Sequence, residues 1–261
     1  MKLISLLLTP AAALILGGTA NAQILNPIAV TLSGTYAGDA IYGPVTGDNT
    51  ATVTVDGGTG TGAFHYVEQG YYADDLTYGL PATGTIVSAS NTLTKVATFQ
   101  LQGPNATNIV KFDGTITLTT PAAYSNIAIL ANALNSAGTP ESFTLNFSSG
   151  PSTTFTLAAD IPYWVGGDPT ASGGTIAGTF ATLDQSGSEN GSGINFDEYD
   201  FALSGPDSER TLDSITLNSN GDYLVTYALS GTLTVPEPST YAMMGLGLLA
   251  LIGIRRARRL S

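Results

Sequence analysis

Thr115-Ile116-Thr117-Leu118-Thr119 alternates apolar side chains with threonine, and that alternation decides the fold. Successive strand side chains point to opposite faces, so period two with one apolar face marks a half-buried antiparallel strand. The same pattern recurs in Ala51-Thr52-Val53-Thr54-Val55, in Phe143-Thr144-Leu145-Asn146-Phe147 and from Thr153 to Leu157. Enrichment in threonine and tyrosine agrees, since both side chains suit a pleated surface. Turn residues separate the runs: Asp56-Gly57-Gly58, Gly103-Pro104-Asn105, Ser149-Gly150-Pro151 and Ser172-Gly173-Gly174.

The clearest hairpin signal is Leu212 to Ser219, then Asn220-Gly221, then Asp222 to Val235. Asn-Gly between alternating runs favours a two-residue type I′ turn. One helix is expected, from Tyr124 to Leu134, where Ile127, Leu130 and Leu134 share a face and Gly138 follows. About a dozen strands at this spacing predict an all-β chain: an antiparallel β-sandwich or jelly roll with at most one short helix. A weak boundary signal lies between Ala158 and Thr170, around Pro162 and Gly166-Gly167, and one domain is preferred over two.

Charge narrows the function classes. Residues 23–234 hold three basic residues, Lys95, Lys111 and Arg210, against nineteen acidic ones, a net charge of −16. Such a surface repels phosphate backbones, which sets nucleic-acid binding aside. The chain has no cysteine. Disulfides, thiolate metal sites and cysteine nucleophiles are therefore excluded, and stability must come from a packed core.

Catalytic signals are few. The single histidine, His65, sits among aromatic strand residues, and no Gly-x-Ser-x-Gly elbow accompanies it. Two carboxylates suffice for glycoside hydrolysis, but with nineteen acids their presence says nothing, so a non-enzymatic protein is expected. Two regions are candidate contact surfaces. Tyr66, Tyr71, Tyr72 and Tyr78 stand near Glu68, Asp74 and Asp75, side chains that stack on and hydrogen-bond to sugars. An ordinary tyrosine-rich strand and loop is the favoured reading there, and a buried anchor is the reading favoured for Trp164. Asp197, Glu198 and Asp200 lie between glycines, where an acidic loop could wrap Ca²⁺ with oxygen ligands. A solvated loop fits better, because the twelfth position counted from Asp184 is Asn195 and not a bidentate glutamate. No other cofactor is expected.

The two ends read as addresses. Lys2, the apolar run Leu3 to Leu16 and the small-x-small site Ala20-Asn21-Ala22 have the layout of a signal peptide over residues 1–22, a substrate for signal peptidase. At the other end, Val235-Pro236-Glu237-Pro238-Ser239 precedes an uncharged run, Tyr241 to Ile254, and then Arg255, Arg256, Arg258 and Arg259. As a helix the run is about 21 Å long at ~1.5 Å per residue, shorter than a ~30 Å hydrocarbon core. Its flanks argue for a transmembrane helix all the same. The prolines cut it off from what precedes, and the arginines form a cytoplasmic stop-transfer flank.

This tail resembles the PEP-CTERM sorting signal of Gram-negative bacteria, over residues 235–261. The resemblance implies that exosortase, a membrane-embedded transpeptidase-like enzyme, processes the chain near Pro236-Glu237-Pro238. It further implies an inner-membrane-anchored precursor and delivery to the cell surface or extracellular matrix of a biofilm-forming, exopolysaccharide-producing cell. Residues 23–234 are then the ectodomain, a structural or adhesive component in contact with exopolysaccharide. A carbohydrate-binding module using the tyrosines of 64–78 is the alternative, and a secreted polysaccharide hydrolase a third reading.

Overall fold

A computed structural model describes residues 23–42, 64–68, 79–90, 95–103, 106–133, 138–184, 189–221 and 223–234. The expected strand at Ala51–Val55, the signal peptide and the whole sorting tail lie outside these residues. Thirteen strands are described: β1 (Gln23–Ile28), β2 (Val30–Gly38), β3 (Ile41–Tyr42), β4 (Phe64–Val67), β5 (Thr85–Ser90), β6 (Lys95–Gln100), β7 (Ile109–Ala133), β8 (Ser142–Phe147), β9 (Thr153–Thr156), β10 (Gly174–Asp184), β11 (Glu189–Ala202), β12 (Thr211–Asn218) and β13 (Leu224–Leu233). The described residues are mostly strand, as the alternation predicts. The one α-helix among the described residues is a single turn, α1 (Pro206–Glu209).

The strands form two layers joined by β7. One layer runs β3-β4-β10-β11-β7-β13-β1-β6-β5. The other is built on the first half of β7, which pairs with β2 on one side and β12 on the other, followed by β8 and β9. Leu32, Ile116, Phe143, Leu145 and Ile215 from this second layer meet Ile28, Ile127, Ile129, Phe201 and Leu229 from the first. The first layer also curls, so that β5 packs against β10. Its concave face closes over a second core of Leu25, Ile86, Phe99, Leu130, Phe196 and Tyr227.

Three expectations are corrected. No helix forms over Tyr124 to Ala133, which belong to the second half of β7, and Leu134 lies outside the described residues. Ile127, Ile129 and Ala131 enter one core while Ala128 and Leu130 enter the other. A strand buried on both faces reads as a continuous apolar run, which periodicity alone does not separate from a buried helix. The second correction concerns the Asn-Gly turn. Asn220 and Gly221 do take the positive φ values, 51° and 96°, that a type I′ turn needs. Yet β12 and β13 do not pair with each other; β12 joins β7 and β8, and β13 joins β7 and β1. The turn is an arch between layers, pinned where Asp113 Oδ1 accepts from the Ser219 backbone N–H at 2.8 Å and its hydroxyl at 3.1 Å. Third, the sheet is not purely antiparallel, since β1–β6 and β3–β4 pair in parallel.

The weak boundary around Pro162 is stitched into the fold. The Trp164 backbone N–H donates to Ala133 O, and its carbonyl accepts from Asn195 N, both at 2.8 Å. Arg210 fastens α1 to the β8–β9 turn: it pairs with Asp207, donates to the carbonyls of Ser149 and Pro151, and lies 3.9 Å over the Phe147 ring.

A close strand approach pairs Gly34 of β2 with Gly114 of β7. A Cβ at Gly114 would stand 2.3 Å from Val110 Cγ2 and 2.9 Å from Ser33 O. Gly114→Ala is therefore expected to lower stability by about 1–3 kcal/mol through overpacking. Gly103→Ala, where a Cβ meets nothing within 4 Å, should be near neutral. Urea unfolding midpoints of the two variants check this, and equal midpoints would contradict the packing.

Candidate functional site

The acidic group Asp197, Glu198 and Asp200 lies inside β11, between β10 and β7, and not in a loop. Pairing with β7 assigns the faces. Asp197 stands opposite Ala131 and Tyr199 opposite Ile129, on the side of the inter-layer core; Glu198 stands opposite Leu130 and Asp200 opposite Ala128, on the concave side. This corrects the solvated loop favoured from the sequence, since Asp197 and Glu198 are buried in a strand, and strand alternation separates Asp197 from the other two. Among the described residues no group of three or more His, Asp or Glu side chains is arranged to hold a metal ion.

On the concave side the carboxyls meet a polar cluster that sequence reasoning missed. Ser88 of β5 donates its hydroxyl to Glu198 Oε2. Lys95 of β6 donates to Asn126 Oδ1 of β7 at 2.7 Å, and its charge acts favourably on Glu198. Asp200 stands two residues along on the same face of β11 as Glu198. Glu198, Ser88, Lys95 and Asn126 are all buried. Burial pushes the Glu198 carboxyl up to about 7; the Asp200 charge adds to the rise, while Ser88 and Lys95 oppose it. Burial therefore favours the protonated form of Glu198 up to neutral pH. The parallel β1–β6 pair places Lys95 there, a long-range contact with no local signature. Its one available signal was rarity: Lys95 is one of three basic residues between 23 and 234.

Across the strand, Asp197 is 1% exposed, and neither carboxyl oxygen has a hydrogen-bond partner among the described residues. Burial, then the charge of Asp168, raises it to about 7. The neutral acid is the form this environment favours.

The tyrosine surface is corrected in part. Tyr66 is fully buried. Its hydroxyl lies 3.0 Å from that of Tyr227 and accepts from Asn132 Nδ2 at 3.0 Å, and its ring meets Phe196 edge-on at 4.9 Å. Burial and lost hydration raise its phenol well above the usual range. It is core, and no glycan reaches it. Tyr71, Tyr72 and Tyr78 lie outside the described residues. Trp164 is a buried anchor at 2% exposure, and His65 is buried on β4.

Comparison with known proteins bears on the other end of the chain. Residues 234–259 match the PEP-CTERM protein-sorting motif. No curated protein matches the chain. The motif supports an exosortase-sorted protein and implies an exported, membrane-anchored precursor processed to the cell surface. Among the described residues no helix is long and apolar enough to cross a membrane. Ala20, Ala22, Val235, Pro236, Glu237, Pro238 and the run Tyr241 to Ile254 with its arginines lie outside them.

The buried carboxyls set a pH dependence. Both are raised in the folded state above their unfolded values, so the fold binds more protons than the unfolded chain between roughly pH 4 and 7. Stability is expected to be highest near pH 4, to fall as pH rises through 7, and to level off above. At ~1.4 kcal/mol for each tenfold change in proton affinity, the fall is of the order of a few kcal/mol. Thermal unfolding from pH 4 to 8 measures it. Asp197→Asn combined with Glu198→Gln should flatten the profile, and a wild-type protein that gains stability over that range would refute the assignment.

Proposed function

We propose that the protein is a non-enzymatic structural or adhesive component of the cell surface or extracellular matrix, associated with exopolysaccharide. The sorting motif at residues 234–259 carries this reading. The body supports it: an acidic, cysteine-free double-layered β domain with both faces of its central strand packed. Such a domain stays soluble outside the cell without disulfides.

A polysaccharide hydrolase finds little support at Glu198, which is 2% exposed and enclosed by Ser88 and Lys95. Glycosidases set two carboxyls about 5–9.5 Å apart with the sugar between them, and a carboxyl this deeply buried offers a sugar no access.

Maturation provides the test. In the native host, the wild-type chain is expected to lose both ends, shown by intact mass of the protein recovered from the cell exterior. Replacing Pro236, Glu237 and Pro238 with alanine should leave a heavier, tail-bearing form in the inner membrane. A wild-type chain that stays full-length in the cytoplasm would defeat the proposal.

A further inference from the structure

Three aromatic rings meet at the surface where sequence reasoning placed no site. The Phe112 ring centroid lies 5.0 Å from that of Tyr36 and 4.6 Å from that of Tyr223. Tyr36 is 51% exposed and Tyr223 37%. They come from β2, from β7 and from the residue preceding β13. Pairing shows how they are assembled. Gly34 faces Gly114 and Tyr36 faces Lys111, so Phe112 and Asp113 together stand opposite Thr35 alone. This is a β-bulge on β7, a device that re-aims a side chain.

The bulge holds Phe112 at φ 58°. A bulky residue is disfavoured in that region, and glycine would occupy it without strain. The chain has glycine two residues later, at Gly114, yet keeps an aromatic at the strained position. The neighbouring Asp113 is tied to Ser219 by two hydrogen bonds, which pins the bulge. The ring is kept against the backbone's preference, where it packs against two exposed tyrosines.

We propose that Tyr36, Phe112 and Tyr223 form a stacking platform for a neutral polysaccharide. The inference rests on the matrix reading above and names its ligand class. Tyrosine offers an apolar ring face and a hydroxyl tip, which match the C–H faces and hydroxyls of a sugar ring. The same two strands also carry rows of uncharged hydroxyls. The pairing aligns Ser33, Thr115, Thr216, Thr144 and Thr154 in one row across five strands. Thr31, Thr117, Ser214 and Asn146 form the next. Hydroxyls both donate and accept, so these rows suit a polyhydroxylated neighbour. The rows hold no arginine or large apolar anchor of the kind that dominates protein interfaces. A net charge of −16 over residues 23–234 disfavours an anionic polymer.

Co-sedimentation of the full chain, purified in detergent, with microcrystalline cellulose, starch or galactomannan tests the platform, with alginate as the anionic control. Binding to at least one neutral polymer and none to alginate is expected. Tyr36→Ala combined with Tyr223→Ala should weaken that binding by about tenfold, the loss of two stacking contacts. Phe112→Gly should weaken it too while keeping the unfolding midpoint at or above wild type, which separates lost stacking from misfolding. Failure to bind any neutral polymer, or equal binding by both variants, overturns the platform. Fractionation of the native host separates this from the matrix reading: a protein found in the extracellular matrix that binds no neutral polymer refutes the platform alone. A protein absent from the cell exterior refutes the matrix reading, whatever the binding assay gives.

Discussion

The structure depends on one strand whose backbone is paired along both sides. β7 runs for 25 residues. Its first half lies between β2 and β12, and its second between β11 and β13. A buried peptide group without a hydrogen bond costs more than a lost contact, so a strand this long survives only with partners throughout. The passage between layers falls at Thr119, Thr120 and Pro121, all exposed. Proline has no N–H to give a ladder, and β12 shifts register there, from Ala122 opposite Leu212 to Thr117 opposite Ser214. Both layers inherit their relative placement from this corner.

The same strand explains the two cores. Side chains of one parity on the second half of β7 fill the space between layers, and those of the other parity fill the curl of the larger sheet. β11, paired beside it, repeats the division with acidic residues, placing Asp197 on one side and Glu198 with Asp200 on the other. A domain with so few cations places Lys95 near Glu198, and burial favours the neutral acid at Glu198 and Asp197. Truncating one partner of such a buried group leaves the other unpaired, the costlier outcome.

Delivery and cargo are physically separate problems in this chain. The sorting motif occupies residues 234–259, directly after β13 ends at Leu233. Since β13 is held between β1 and β7, the tail leaves from a paired strand near the middle of the larger sheet. The aromatic platform draws on β2, on β7 and on the approach to β13, so it belongs to the body and not to the address.

Local patterns were legible wherever one face of a strand meets water. Thr115 to Thr119 and Phe143 to Phe147 alternate because one side is solvated, and both are strands in the structure. The Asn220-Gly221 turn was legible because few residues accept positive φ. The tail needed no fold at all, because a sorting enzyme reads a linear motif. Tertiary structure decided the rest. Tyr124 to Ala133 is buried on both faces, which erases the period that would have marked it as a strand. Whether β12 and β13 pair with each other or with β7 depends on which strand fills the gap, and no turn encodes that. Glu198 meets Ser88 and Lys95, and Phe112 meets Tyr36 and Tyr223, through pairings between distant segments. The sequence by itself determined an acidic β chain bearing an export address; only the tertiary structure decided which tyrosines are core and which face the outside, because burial is a property of neighbours brought together by the sheet.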